Sequence, residues 1–257
     1  MHPGVAPSAA PPVWDVALRK LLRHGSSRFE LDLRFASGAS RVVLFGPSGA
    51  GKTQTLRMIA GITPPDSGRV AVAGRVLFDA AAGISLSPQQ RRLAYVFQDY
   101  ALFPHLSVRQ NIAFACRRGW RNPSRHLQQP RVAAWIERFG LQAVADHYAH
   151  QLSGGQRQRT ALARALVTEP TALLLDEPFA AMDRALREQL QTELLQLQQS
   201  LRLPMLLITH DDADVARLGE QVVHLAGGRV AEARDLRRAH DAGTALTDHP
   251  ARPARVA

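Results

Sequence analysis

The sequence predicts an α/β fold, a mainly parallel sheet flanked by helices with a helical subdomain inserted into it. Three observations carry this. Four short, continuous apolar runs (RVVLF from Arg41, LAYVF from Leu93, ALLL from Ala172 and MLLIT from Met205) have the length and the lack of alternation of strands covered on both faces. Each run ends at a glycine or a polar residue, namely Gly46, Gln98, Asp176 with Glu177, and His210. Ligands in open α/β sheets bind beyond the carboxyl ends of the strands, so four such ends predict one shared site. Between Gln98 and Gln151 the pattern changes to helical spacing with no comparable strand, as in PRVAAWIERFGLQAVADHY, where Val132, Trp135, Ile136 and Phe139 recur at three and four.

Composition sets the bounds. The chain has 257 residues, of which 46% are hydrophobic, enough for one main domain with a subdomain. The longest apolar runs are strand-length, well short of a membrane span. Residues 1–12, MHPGVAPSAAPP, read as a disordered leader and not as a signal peptide, since they lack a charged start followed by an apolar stretch. A single cysteine, Cys116, excludes an intrachain disulfide framework and suits the cytoplasm. The net charge is +10, and Lys20 and Lys52 are the only lysines. No basic block is interleaved with aromatics as single-strand binding would want, so the charge is read as spread over solvated faces and nucleic acid is not expected as a partner.

Taken in order, the first motif is GPSGAGKT, Gly46 to Thr53, which follows a strand and opens a helix with Leu56, Ile59 and Ala60 on one face and Gly61 at its end. Its glycines let backbone N–H groups close around phosphate oxygens, Lys52 reaches the β and γ phosphates, and Thr53 offers a hydroxyl to Mg²⁺. Gln98 ends its strand with an amide that both donates and accepts, suited to sensing a metal and a water. QLSGGQRQR, residues 151–159, is a second glycine-rich turn at a helix start, yet it holds no lysine. In ALLLDEP, Asp176 is placed to hold Mg²⁺, directly or through water, and Glu177 to polarise an attacking water. ALREQLQTELLQLQQSL puts Leu186, Leu190, Leu194, Leu197 and Leu201 on one face of a helix that covers the sheet. His210 is placed to bond a γ-phosphate, and the acids Asp211, Asp212 and Asp214 are read as favouring the N-terminus of the next helix. Residues 233–257 read as an irregular tail.

The order of these motifs, phosphate loop, Gln98, LSGGQ, LLLDEP, Asp183 and His210, resembles the ATP-binding subunit of ABC transporters over residues 13–232. The stretch GRVLFDAAAGISLSPQQRRLAYVFQDYALFPHLSVRQNIAF looks like the ATPases of bacterial molybdate importers, and importers of sulfate, iron, polyamines and sugars share much of it. The resemblance implies the fold of a P-loop NTPase with an N-terminal antiparallel β part and a helical subdomain at about residues 101–160. It implies an ATP site on Gly46, Pro47, Ser48, Gly49, Ala50, Gly51, Lys52, Thr53 and Gln54, with Mg²⁺ on Thr53, Gln98 and Asp176 and hydrolysis by Glu177, His210 and Gln98. Ser153, Gly154, Gly155 and Gln156 would contact the ATP of a second copy in a homodimer, and Asp183 would communicate across that interface. Tyr100, Leu102 and Phe103 would meet a membrane-spanning permease at the cytoplasmic face of the inner membrane, fed by a periplasmic or extracellular solute-binding protein.

The chain also departs from the family. The stretch where an adenine-stacking aromatic is common reads LLRHGSSRF, with His24 nearest, Gln54 stands where Ser or Thr is usual, and AAMD replaces the commoner Ser-Ala-Leu-Asp at Asp183. A C-terminal oxyanion-binding β-domain is not expected. The readings kept beside an importer are a soluble ABC ATPase acting on nucleic acid or ribosomes and a small-molecule kinase, of which the kinase leaves LSGGQ unexplained.

Overall fold

The computed structural model describes residues 11–25, 27–116, 122–124, 129–180 and 182–237. The chain opens with β1 (Trp14–His24) and β2 (Ser27–Ser37), an antiparallel hairpin in which Trp14, Val16 and Leu18 on one strand and Leu31, Leu33 and Phe35 on the other are buried at period two. β3 (Arg41–Phe45) passes through loop 46–51 into α1 (Lys52–Ala60), which Gly61 ends in a left-handed conformation, φ 79°. β4 (Ser67–Val72), β5 (Arg75–Asp79) and the short β6 (Ile84–Ser85) return to the first sheet. One turn of helix, α2 (Pro88–Arg91), capped by Ser87, then leads into β7 (Leu93–Val96).

Then come α3 (Val108–Phe114), α4 (Pro130–Arg138) and α5 (Gly154–Leu166). β8 (Ala172–Asp176), α6 (Arg184–Leu201), β9 (Met205–Thr209), α7 (Asp212–Leu218), β10 (Gln221–Ala226) and β11 (Arg229–Asp235) complete the described chain. The strands form one antiparallel sheet in the order β2-β1-β4-β5-β6 and a second in the order β11-β10-β3-β9-β8-β7, parallel except for the β10–β11 hairpin.

The four apolar runs lack alternation because each strand feeds two cores. Val42, Leu44, Leu174, Leu206 and Ile208 point into a core shared with the antiparallel sheet and with Leu56 and Ile59 of α1. Val43, Leu173, Leu175, Met205 and Leu207 point into a core under α5 and α6, where Leu190, Leu194 and Leu197 are buried and Leu186 and Leu201 are partly so. A third core joins α3, α4 and α5 through Ile112, Val132, Ile136 and Ala163. Truncating a buried leucine of the shared strands, such as Leu207 to Ala, costs about 2–5 kcal/mol because the packed layers on either side cannot close the gap.

Two boundaries differ from the sequence reading. Residues 233–235 are not irregular: they end β11, paired with Val223, Val222 and Gln221. The run RVAEARD is an edge strand with mostly exposed side chains, so no buried face gave it an alternating pattern. The helix after LSGGQ continues past 160 to Leu166 and belongs to both helical and sheet cores. The expected leader lies, apart from residues 11 and 12, outside the described residues, as does the tail beyond 237. No helix among the described residues is long and apolar enough to cross a membrane.

Candidate functional site

Loop 46–51 is shaped by close backbone approach. Gly46 has φ 154°, and a Cβ there would sit 2.2 Å from the carbonyl oxygen of Leu225 on β10, so no side chain fits. Gly51, φ 97°, starts α1 from the left-handed region. The Lys52 side chain, 5% exposed, folds back over the loop and donates to Gly46 O at 2.8 Å and Pro47 O at 2.9 Å. Burial lowers its pKa, while the nearby Glu177 and Asp176 carboxylates oppose the shift. Pro47, Ser48 and Gly49 are exposed at the loop tip, Ala50 is buried, and Thr53 and Gln54 stand half-buried in the first turn of α1.

Beside this loop, the β8 end supplies the acids. Asp176, 4% exposed, accepts from Thr53 Oγ1 at 2.9 Å on one oxygen and from the Tyr95 hydroxyl at 2.8 Å on the other. Burial and the Asp176 charge push the Tyr95 phenol well above its ordinary range. Glu177 is held at φ 47° with its N–H on Ile208 O at 3.1 Å. Its Oε2 receives two groups, Gln98 Nε2 at 3.5 Å and His210 Nδ1 at 3.4 Å. Both separations are long, as is common before substrate draws such groups together. The ends of β3, β7, β8 and β9 thus bring Lys52, Thr53, Gln98, Asp176, Glu177 and His210 into one cluster.

The second glycine-rich turn is built separately. Ser153 caps α5, accepting from Gln156 N at 3.2 Å while the Gln156 side chain accepts from Ser153 N at 2.9 Å. Ser153 is exposed, Gly154 half-buried and Gly155 buried against Leu186, whose Cδ1 lies 3.1 Å from where a Cβ would stand. Asp183 caps α6 by accepting from Leu186 N at 3.0 Å and is also exposed. Among the described residues, no hydrogen bond or ion pair joins Ser153, Gly154, Gly155, Gln156 or Asp183 to residues 46–53.

Several functional placements escape sequence reading. Asp214 stands in the first turn of α7, as read, and is also 2% exposed and accepts from Arg187 Nε at 3.0 Å and Nη2 at 2.6 Å, Gln191 Nε2 at 2.5 Å and Thr209 Oγ1 at 2.5 Å. Arg187 also pairs with Asp211 at 2.7 Å, so both neighbours of His210 are fastened to one buried carboxylate. Asp211 does serve as the cap of α7. Arg91 is buried under α1 and donates to Met58 O and Ile59 O at 2.8 and 2.7 Å, a cation at a helix C-terminus. Tyr100, expected on an outward surface, is 8% exposed and its hydroxyl bonds Pro178 O at 3.2 Å, because a left-handed turn rotates it into the core. Leu102 and Phe103 remain half-buried at the surface. Of the LLRHGSSRF stretch, the His24 side chain lies outside the described residues, and the half-buried Phe29 ring packs beside Gly51.

Comparison with known proteins points to one family. A sequence family described as ABC transporter matches residues 30–180. The molybdenum import ATP-binding protein ModC of Paramagnetospirillum magneticum is 40% identical over 215 residues, covering 84% of this chain and 58% of that protein. The sulfate/thiosulfate import ATP-binding protein CysA of Thermosynechococcus vestitus is 43% identical over 226 residues, covering 87% of this chain and 62% of that protein. The chain therefore spans about three fifths of the length of these relatives. Among solved structures, a dimeric ATP-binding cassette in a post-hydrolysis state bound to ADP and Pi superposes with a TM-score of 0.71 at 28% identity, covering 87% of this chain and 98% of that one.

Proposed function

The chain belongs to the ABC transporter family, and on that footing we propose that it is the ATP-hydrolysing subunit of an importer whose solute is molybdate. The observation that carries the ATPase reading is the convergence of Gln98 and His210 on one oxygen of Glu177, beside the Thr53–Asp176 pair and the Lys52 loop. Lys52 already donates to two carbonyls of its own loop, and its ammonium and the loop N–H groups would pass to the β and γ phosphates of ATP.

The donor set fits Mg²⁺. A hydroxyl on Thr53, a carboxylate on Asp176 and the amide oxygen of Gln98 are hard oxygen ligands for an ion that otherwise takes waters and phosphate oxygens. When bound, the ion neutralises charge on the phosphates. Glu177 takes a proton from the attacking water as its oxygen bonds to the γ-phosphorus and the bond to the ADP oxygen breaks. His210, 61% exposed on its side chain, would bond the γ-phosphate, and Gln98 would hold the water and sense its presence.

The exposed Ser153 turn and Asp183 would complete the site of a second copy: two copies sandwich two ATP molecules and share two sites. ATP then drives closure because it binds the closed dimer better than the open one, the only way a ligand shifts such an equilibrium. Closure is passed at the cytoplasmic face to permease subunits through the surface around Leu102 and Phe103, with a solute-binding protein acting on the far side. The molybdate reading rests on the ModC relatives, and a sulfate reading is favoured by the CysA relative at 43% identity. Purified with its permease, the chain should hydrolyse ATP faster when molybdate- or tungstate-loaded binding protein is added. Stimulation by sulfate alone would transfer the assignment to the second reading.

A further inference from the structure

We infer that Arg164 is a positioning residue that fastens the Gln98 loop to the helix carrying Ser153, so that the two halves of the split site move together; this rests on the ATPase reading above. The loop that follows Gln98 places two successive non-glycine residues in the left-handed region, Tyr100 at φ 64° and Ala101 at φ 43°. Such residues stay there only when their surroundings hold them. Asp99 accepts from Ala101 N at 3.1 Å, and Tyr100 N donates to Phe97 O at 2.9 Å, but these bonds are local to the turn.

Two long-range holds reach the turn: the Tyr100 hydroxyl donates to Pro178 O at 3.2 Å, and one side chain on α5 grips the turn's backbone. Arg164 donates from Nη2 to Tyr100 O and from Nη1 to Ala101 O, both at 2.7 Å, and its guanidinium lies 5.6 Å from the centre of the Phe103 ring. A planar fork matches two adjacent carbonyls in a way that an ammonium cannot. No ion pair to Arg164 is present among the described residues, so its strongest hydrogen bonds go to this backbone. Burial disfavours its charge, and Asp99 is the carboxylate that opposes this.

Two further contacts hold α5. Ser153 caps it, and Arg159 forks onto Glu193 of α6 at 2.9 and 2.5 Å. A displacement of the surface around Phe103 therefore reaches Ser153 along α5 and reaches Gln98 through the turn. Without the fork, the turn relaxes and the amide of Gln98 loses its approach to Glu177.

The test is a double-mutant cycle on the purified chain at concentrations that support the dimer, with Arg164→Lys as the main variant because it keeps the charge and one donor, and Arg164→Ala beside it. Arg164→Lys should lower kcat by between about tenfold and about 10²-fold, the size of a misplacement near 1 Å, with ATP affinity and melting temperature little changed. Combined with Gln98→Ala, it should add nothing to the loss of Gln98→Ala alone. An unchanged kcat, or losses that multiply, would overturn the assignment in favour of a merely structural arginine. Should the unsubstituted chain hydrolyse no ATP, the function proposed above fails. Hydrogen exchange then decides the clamp independently: Arg164→Lys must speed exchange of amides 99–103 at least about tenfold while α5 stays protected, and equal exchange overturns it.

Discussion

Replacing Asp214 with alanine removes the acceptor of four hydrogen bonds from a site that is 2% exposed. Arg187 is left with most of its charge buried, its side chain 20% exposed, and Gln191 and Thr209 lose their partners. Breaking a buried charge pair in this way costs about 3–5 kcal/mol. Arg187 keeps Asp211 at 2.7 Å, so the low end applies, about 3 kcal/mol, which for a domain of this size lowers the melting temperature by about 6–12 °C. Asp214→Asn keeps the shape but loses the charge and turns one accepting oxygen into an amide donor that faces other donors, so it should also be destabilised. Thermal unfolding followed by circular dichroism, without nucleotide, measures the effect. Since Thr209 and Asp211 flank His210, the same variants should also slow ATP turnover in the folded fraction. A melting point for Asp214→Ala within about 2 °C of the unsubstituted chain would refute the account of Asp214 as the anchor of this region.

Two further outcomes are expected. Glu177→Gln should bind ATP as the unsubstituted chain does yet lose on the order of 10²-fold or more in phosphate release, the scale of general-base help; near-normal turnover would remove Glu177 from that role. Tyr95→Phe should be the less stable protein at neutral pH, since it gives up a bond to the Asp176 carboxylate. Because the folded state raises the pKa of this phenol, its stabilisation is complete below the unfolded value of about 10 and is lost as pH rises beyond it. The stability gap between the two proteins should therefore narrow above about pH 10, and a gap constant to higher pH would show that burial beside Asp176 does not raise this phenol's pKa.

The sheet and the side chains that cluster at its strand ends are readable in the sequence because both follow from local pattern. β3, β7, β8 and β9 are buried on two faces and so appear as unbroken apolar runs, and their carboxyl ends carry the side chains that meet. What stayed hidden depends on contacts between distant segments. Tyr95 is an ordinary aromatic within a strand until the register of β7 beside β8 sets its hydroxyl on Asp176. Asp214 looks like one more acid at a helix start, and only the packing of α6 on α7 makes it a hub. Arg164 is one of many arginines in a chain nearly free of lysine, and its partners lie 63 and 64 positions away. Family resemblance points Tyr100 outward, while two left-handed residues turn it inward. The edge strand β11 shows the converse: without a buried face, real secondary structure leaves little trace in the sequence.

The central claim is that Lys52 and Ser153 of one ATP site belong to different copies of the chain. Two variants, Ser153→Arg and Lys52→Ala, should each form dimers with almost no ATP turnover. Mixed together and allowed to exchange, they should recover activity, because each mixed dimer contains one site with Lys52 from one copy and Ser153 from the other. Random exchange would return about one quarter of the unsubstituted turnover, half the dimers each carrying half the sites. No recovery, with exchange confirmed by crosslinking, would mean that each copy completes its own site, and the split-site account would be wrong.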